Sequence, residues 1–489
     1  MSRTIAPRGI GATEGPALLL ALASGLLIVR WGWLGAAALA GLIGLMTAYQ
    51  CGRDGVWGRC LLAALLIATP DFSLHRTLGF RLLWSSGLTF SNFLLPVISL
   101  PVLAGAWRTH QKFVPAEAYK VWRRWRGFML FAPLTLVPAY WLGQMAPGES
   151  VLLLAHWLKL LGVCFLMGFI LAGLEDPRLR RNLIWILAAG MGVNLLLAAA
   201  QTGGWLTGFS PLSLWSPGRY RASGTFYDAN MFGCLAGFSL ILLLPLTACR
   251  LAANRPRSGG GWMGLGLVVM AGAVAVSASR AAWLVVLAGC AGLIWRRRWL
   301  ALGLALGLGL AWGWLFFHRA DRRIASAWHA LATHAVWSGV DAGVMRRERS
   351  MRQAWEQWQF HPWLGLGWGR ALDLGVAARG PGGWAGQRFT GAQNQYLTVL
   401  AETGILGLMI YGFMLAGLPD AWRMQPSVPA TSAANSLEDA WNDGLFAGWL
   451  GLLTAACTLE LFYNARLWAL LLLVLYWRPF KAIAEAPAS

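Results

Sequence analysis

The sequence predicts an all-α, polytopic integral membrane protein, with about 12–14 transmembrane helices and one long loop on the far side of the bilayer. Three observations predict it. The 489 residues are 57% hydrophobic and 12% charged, where a soluble domain carries roughly 25% charged residues. The apolar residues fall in continuous runs without period-two alternation, which makes the spans helices and not barrel strands. The basic residues sit in short loops between those runs, and the 30 Trp suit the membrane–water interface.

The apolar runs lie at 17–29, 32–49, 60–69, 88–106, 127–143, 151–173, 183–201, 230–249, 262–278, 281–295, 299–317, 396–418, 443–459 and 463–477. Several fall short of the ~20 residues a span needs. The first run has the length of a signal-peptide core, and Ala21-Leu22-Ala23 has the form of a cleavage site. The many runs that follow favour an uncleaved first span. Four segments result: N-terminal transmembrane helices over 1–220, helices carrying arginine motifs over 221–317, a helical loop over 318–395, and C-terminal helices over 396–489.

Charge sets the orientation. The net charge of +20 would suit nucleic-acid binding if it were gathered in one patch. Instead it is spread over short loops, such as Arg108 to Arg126, Arg178 to Arg181, Arg250 to Arg257 and Arg296 to Arg298. With fourteen spans these loops share one side with Arg3, Arg8, Arg478 and Lys481. The positive-inside rule makes that side the cytoplasm, and no nucleic-acid partner is expected. The opposite side receives 202–229, the turn at Ser279-Arg280, and 318–395.

Within 318–395, the spacing predicts a helix from His318 to Val336 and another from Met345 to Phe360. The second places Met351, Trp355 and Trp358 on one face, and Arg346, Arg349 and Arg352 elsewhere. Pro362 ends it, Gly365, Gly367 and Gly369 form a turn-rich link, and 379–391 is a Gly-rich loop. An apolar helical face beside arginines suits a segment lying on the membrane surface. No broken helices or repeated halves of the transporter kind are legible.

Metal chemistry finds no support. The seven Cys form no CxxC pair and none lies in the long loop; His318, His329 and His334 do not share a helical face. No cofactor, metal or structural disulfide is expected. The informative residues are the arginines on the outer side, which run against the charge trend. Arg219 and Arg221 precede a span, Arg280 sits in a turn between two spans, and Arg346, Arg347, Arg349 and Arg352 crowd one helix. A guanidinium matches phosphate oxygens through a planar fork of donors, so such a ring suits a lipid pyrophosphate. Snorkelling to the headgroups competes with that reading, most strongly for each arginine of 346–352. His361, before Pro362, reads as a turn residue. Glu402 lies about two turns below Gln395 and near the same helical face. An acid at that depth is either functional or satisfied by a neighbouring helix.

Five motifs then resemble one family. They are Arg221 to Asn230 (RASGTFYDAN), Ser277 to Arg280 (SASR), His361 to Gly369 (HPWLGLGWG), Gln393 to Leu397 (QNQYL) and Ala401 to Gly407 (AETGILG). In this order they resemble the O-antigen ligase and O-antigen polymerase superfamily, over roughly 220–418. The resemblance implies a metal-independent, inverting glycosyltransferase of the bacterial inner membrane, multi-pass, with its active face periplasmic. The donor would be a glycan on undecaprenyl pyrophosphate, and the acceptor a glycan, lipid A-core or a protein hydroxyl. Arg221 and Arg280 match family arginines that hold the pyrophosphate, with Arg219 and Arg349 as further candidates.

One departure matters. The family has His-Asn where this chain has Gln393-Asn394, and glutamine has no titratable group to serve as a base. Three readings stay open. Asp228, Glu348 or Glu402 serves as the base; or Gln393 only orients the acceptor; or the chain is a catalytically impaired assembly partner of a polysaccharide export system. A transporter of lipid-linked glycans is the rival from another class.

Overall fold

The structure, a computed structural model, describes residues 44–68, 90–111, 118–141, 157–158, 161–170, 172–173, 176–202, 222–223, 229–252, 260–311, 342–369, 392–423 and 437–459. The runs 17–29 and 463–477, the helix expected over His318 to Val336, the loop 379–391, and Arg219, Arg221 and Asp228 lie outside the described residues.

Among the described residues the regular structure is helical throughout, as expected for an all-α chain. The helices are α1 (Trp57–Ala68), α2 (Phe90–Arg108), α3 (Ala118–Leu134), α4 (Leu136–Trp141), α5 (Pro177–Thr202), α6 (Ala229–Ala252), α7 (Gly260–Ser277), α8 (Arg280–Trp295), α9 (Ala342–Phe360), α10 (Gln395–Arg423) and α11 (Leu437–Ala455). Leu161–Ile170 and Trp299–Ala311 are also helical. Two of the described helices are long and apolar enough to cross a membrane: Ala229–Ala252 and, within α10, Gln395–Leu415. Shorter apolar helical stretches of 10–17 residues include Val97–Arg108, Met263–Ser277 and Arg280–Trp295.

Helix α6 is the axis of the bundle. It is apolar all round, as a helix surrounded by protein must be. It is buried at nearly every position from Ala229 to Ala248. Helices α7, α8 and α11 pack around it, and glycines form the seams. A Cβ on Gly233 would meet Ser277, Ser279 and Ala282; on Gly444, the backbone of Leu242; on Gly451, the backbone of Val285. Lipid supplies no hydrophobic force between helices, so close contact over small residues is what such a seam needs.

These contacts also fix directions. Gly292 meets Ala447 while Val285 meets Gly451, so α8 and α11 are antiparallel. The start of α8 therefore lies toward the end of α11. At the other end, Asp443 meets Arg298 Nε at 2.6 Å and Arg296 Nε at 3.6 Å. The Arg296 guanidinium also stacks over Phe446, 4.7 Å from its centroid. Two arginines of one basic loop are thus gathered by the first turns of α11.

Helix α10 is not continuous. Gly404 adopts φ 66° and ψ −170°, which breaks the helix nine residues from its start. A broken helix was not legible in the sequence, and here the structure corrects that reading. The break frees backbone groups that have no water to turn to inside a bundle. The motif after α9 satisfies them. Leu366 N–H donates to the Ala401 carbonyl and Gly367 N–H to that of Glu402, both at 2.9 Å. In return, Ile405 N–H donates to Pro362 O at 2.8 Å and Leu406 N–H to Trp363 O at 3.4 Å. The glycines have a steric reason: a Cβ on Gly365 would run into the backbone of Glu402, and one on Gly404 into that of Trp363. Trp368 follows, 1% exposed. Its backbone N–H donates to Thr135 Oγ1 at 3.0 Å, and its ring meets Phe128 edge-on at 5.8 Å. The turn-rich link expected at Gly365, Gly367 and Gly369 is therefore a plug built into α10.

Candidate functional site

The residues singled out in the sequence gather at one end of the bundle. Ser279 ends the tight turn after α7 and caps α8, accepting from Ala282 N–H at 3.3 Å. Its hydroxyl donates to Asn230 Oδ1 at 3.0 Å, one residue into α6. Serine is a strong N-cap because its oxygen replaces a missing helical acceptor. Arg280 is then the first residue of α8, and it is exposed. The preceding turn is tight: Ser277 Oγ–H donates to Val274 O at 2.7 Å, and Ala278 takes φ 46°.

Arg221 lies outside the described residues, but its neighbours are fixed. Ala222 N–H donates to Val276 O at 3.5 Å, and Ser223 N–H to Gln201 Oε1 at 3.0 Å. The chain thus passes beside the turn that carries Arg280. Gln201, buried at the end of α5, was not singled out from the sequence; it anchors the start of the 221–230 motif.

The start of α10 reaches the same end. Gln395 N–H donates to Ala456 O at 2.7 Å, just past α11. Tyr396 Oη–H donates to Leu453 O at 2.9 Å. Asn394 caps α10: its Oδ1 accepts from Tyr396 N–H at 3.0 Å and Leu397 N–H at 3.1 Å. Gln393, one residue earlier, stands in the left-handed region with φ 51°. Its Oε1 accepts from Arg347 Nε at 3.0 Å.

Arg347 was one of four arginines whose spacing did not separate them. The structure separates them. Ser350 and Ala354 are buried on α9, with Ala354 packed in a small cluster with Ala392, Leu397 and Ala401. Arg347 lies three and seven residues before them, so it shares their face. Arg349 is exposed, and so is Arg352, 3.6 Å from Glu356. Glu348 is exposed too. The expected apolar face is turned the other way. Trp355 is exposed and stacks near Trp358, centroids 4.6 Å apart, and Phe360 and Trp363 are exposed as well. Small residues bind α9 to the bundle and large aromatics face outward. The missed signal was the run of small residues at 350 and 354, which helix periodicity places with Arg347.

Glu402 is fully buried, in the last turn before the break at Gly404. His361 is a turn residue, as its place before Pro362 suggested. Its N–H donates to Trp358 O and its carbonyl accepts from Gly365 N–H, each at 3.0 Å. Among the described residues, no group of three or more His, Cys, Asp or Glu could hold a metal ion.

The segment that holds these turns is similar to a known family. Residues 265–412 match the O-antigen ligase family. The match takes in α7 from Leu265, α8, α9, the 361–369 plug and α10 as far as Gly412, under a third of the chain. It supports the resemblance to the O-antigen ligase and polymerase superfamily read from the motifs. No curated protein matches the chain. The match supports a glycosyltransferase-like role, and together with the apolar helices it supports a membrane protein.

Proposed function

We propose that the chain is a polytopic inner-membrane glycosyltransferase that moves a glycan from undecaprenyl pyrophosphate to an acceptor hydroxyl on the periplasmic face. The acceptor oxygen attacks the anomeric carbon of the donor from the face opposite the leaving group. The bond from that carbon to the pyrophosphate oxygen breaks, and undecaprenyl pyrophosphate departs with the electron pair. Donors fixed around the leaving group stabilise the charge it gains. The observation that carries this reading is the gathering of Arg280, the 221–230 motif and the Gln393–Arg347 pair at one bundle end, opposite the Arg296–Asp443–Arg298 cluster. Exposed Trp355, Phe360 and Trp363 suit contact with lipid, Trp363 at the depth of the break in α10.

The departing hydroxyl proton needs an acceptor. Gln393 cannot take it, and Glu402 is sealed in the bundle. Asp228 stands one residue before α6, two before the Asn230 that holds the Ser279 cap. We assign it the base. No metal is invoked in the transfer.

The test is transfer by purified protein in liposomes, given an undecaprenyl-pyrophosphate glycan and a candidate acceptor. Arg280→Ala and Arg221→Ala should each lower turnover by roughly ten- to a hundredfold, the size of a lost charge-assisted contact. Arg280→Lys should recover part of it, since a point charge lacks the bidentate fork. Full turnover in both alanine variants at normal protein levels would sink the pyrophosphate site.

A further inference from the structure

Three arginines leave α8 between two tryptophans, in the run Trp295-Arg296-Arg297-Arg298-Trp299. The chain turns there by a fixed pattern. Arg296 is the C-cap, with φ −83°. Arg297 N–H donates to the Ile294 carbonyl and Arg298 N–H to that of Leu293, both at 2.9 Å. These two bonds make the helix ending in which the residue after the cap turns left-handed. Arg297 takes that place, with φ 58°. Glycine is favoured there, because a Cβ is unwelcome in that region. Arg298 then starts the helix Trp299–Ala311, its carbonyl accepting from Leu302 N–H at 3.1 Å. A short oxygen-bearing side chain is the favoured start, and a cation opposes the positive end of the helix dipole. Two neighbouring positions thus carry arginine against local preference.

Packing accounts for Arg298, whose Nε meets Asp443 Oδ2 at 2.6 Å, and for Arg296, 3.6 Å from Asp443 Oδ1 and stacked over Phe446. Arg297 is exposed. An unfavourable backbone kept at an exposed cation points to a use for that cation. Its neighbours indicate which use. Trp295 is 81% exposed and Trp299 63% exposed, and Ile294 and Leu300 beyond them are exposed too. Indole rings on both sides of a cation suit the membrane–water interface. Arg250, at the end of α6, is exposed at the same end of the bundle, because α6 and α8 run parallel.

We propose that the Trp295–Trp299 turn is a binding site for the headgroup of an anionic phospholipid. Arg297 holds the lipid phosphate through its fork of donors, and Trp295 and Trp299 lie against the glycerol and upper acyl chains. The site stands at the end that the positive-inside rule assigns to the cytoplasm, opposite the proposed transfer site. Its lipid is a membrane component and not the glycan donor.

The experiment is binding of phosphatidylglycerol and of phosphatidylcholine with the same acyl chains to the full chain in detergent, by native mass spectrometry, with thermal unfolding measured in parallel. The wild-type chain should bind phosphatidylglycerol more tightly, and its unfolding temperature should rise more with that lipid. Arg297→Gly restores the residue the turn favours, so its unfolding temperature without lipid should hold or rise. Its affinity for phosphatidylglycerol should nonetheless fall about fivefold. Arg297→Lys keeps the charge and should lose only part of the preference. Arg352→Ala, which removes a charge from the exposed face of α9, should bind as wild type. Soluble glycerol phosphate should not displace the lipid, since it lacks the acyl chains. A wild-type chain with no preference between the two lipids, or an Arg297→Gly variant that keeps the preference, overturns the proposal. Equal loss in Arg352→Ala would reduce it to net charge, and displacement by glycerol phosphate would make the site one for free phosphate; either result overturns it as well.

Discussion

Arg280 and Gln393 show how a single residue's role depends on what holds it. Ser279 caps α8 and bonds Asn230, so Arg280 is presented from a fixed turn and not from a mobile loop. Gln393 is likewise presented by the Asn394 cap. Asn394, which matches the Asn of the family's His-Asn pair, uses its side chain in starting α10. That leaves the proton to another group, and the proposal names Asp228. Asp228→Asn keeps the shape and removes the acceptor, so it should slow transfer by about 10²–10⁴-fold. Gln393→His should retain or raise transfer, because a neutral imidazole still accepts a hydrogen bond. Turnover by purified variants measures both. Equal turnover of Asp228→Asn and wild type would remove Asp228 from the mechanism. At this scale the sequence revealed residue types but not partners: four arginines within 346–352 look alike until α9 is docked.

At the scale of the element, α10 joins two motifs that are separate in sequence. Ala401 to Gly407 contains the break, and His361 to Gly369 fills it. The exchanged backbone bonds explain why glycine stands at both 365 and 404. Each has positive φ, and each lies against the other segment's backbone. Gly404→Ala adds a Cβ where a main chain already lies, and it carries the left-handed cost of about 1–2 kcal/mol besides. It should lower the unfolding temperature of the detergent-purified chain and its yield in the membrane. Gly412→Ala, in the same helix with open space around it, should be neutral or slightly stabilising. Equal loss in the two variants would mean that the splice contributes nothing particular. The helix existed in the sequence as an apolar run at 396–418. The break did not, because one glycine inside an apolar run reads as a tolerated residue.

For the molecule as a whole, helix directions and charge agree. Helix α8 runs parallel to α6, and α7 and α11 run antiparallel to it. The Arg280, Gln393 and Arg347 end is opposite the Arg296 and Arg298 end. The positive-inside rule assigns the second end to the cytoplasm. A reporter active only in the periplasm should therefore be active when fused near Gly383, and inactive when fused near Arg257. The reverse pattern would invert the topology and move the proposed site to the wrong face for a periplasmic acceptor.

Sequence by itself determined the helical class, the positions of most described helices, and the residues around which a phosphate site is proposed. Apolar runs of span length and arginines against the charge trend are properties of composition and order, and they survive without coordinates. Helix α6 at Ala229–Ala252 and α8 at Arg280–Trp295 lie within a few residues of their apolar runs for that reason. Tertiary structure decided the pairings: which arginine meets Gln393, which carbonyls the break in α10 leaves to be satisfied, and which face of α9 is inward. Those depend on contacts between segments far apart in the chain, such as Arg347 with Gln393 and Leu366 with Ala401. No local pattern encodes such a contact, because its energy exists only once both segments are packed.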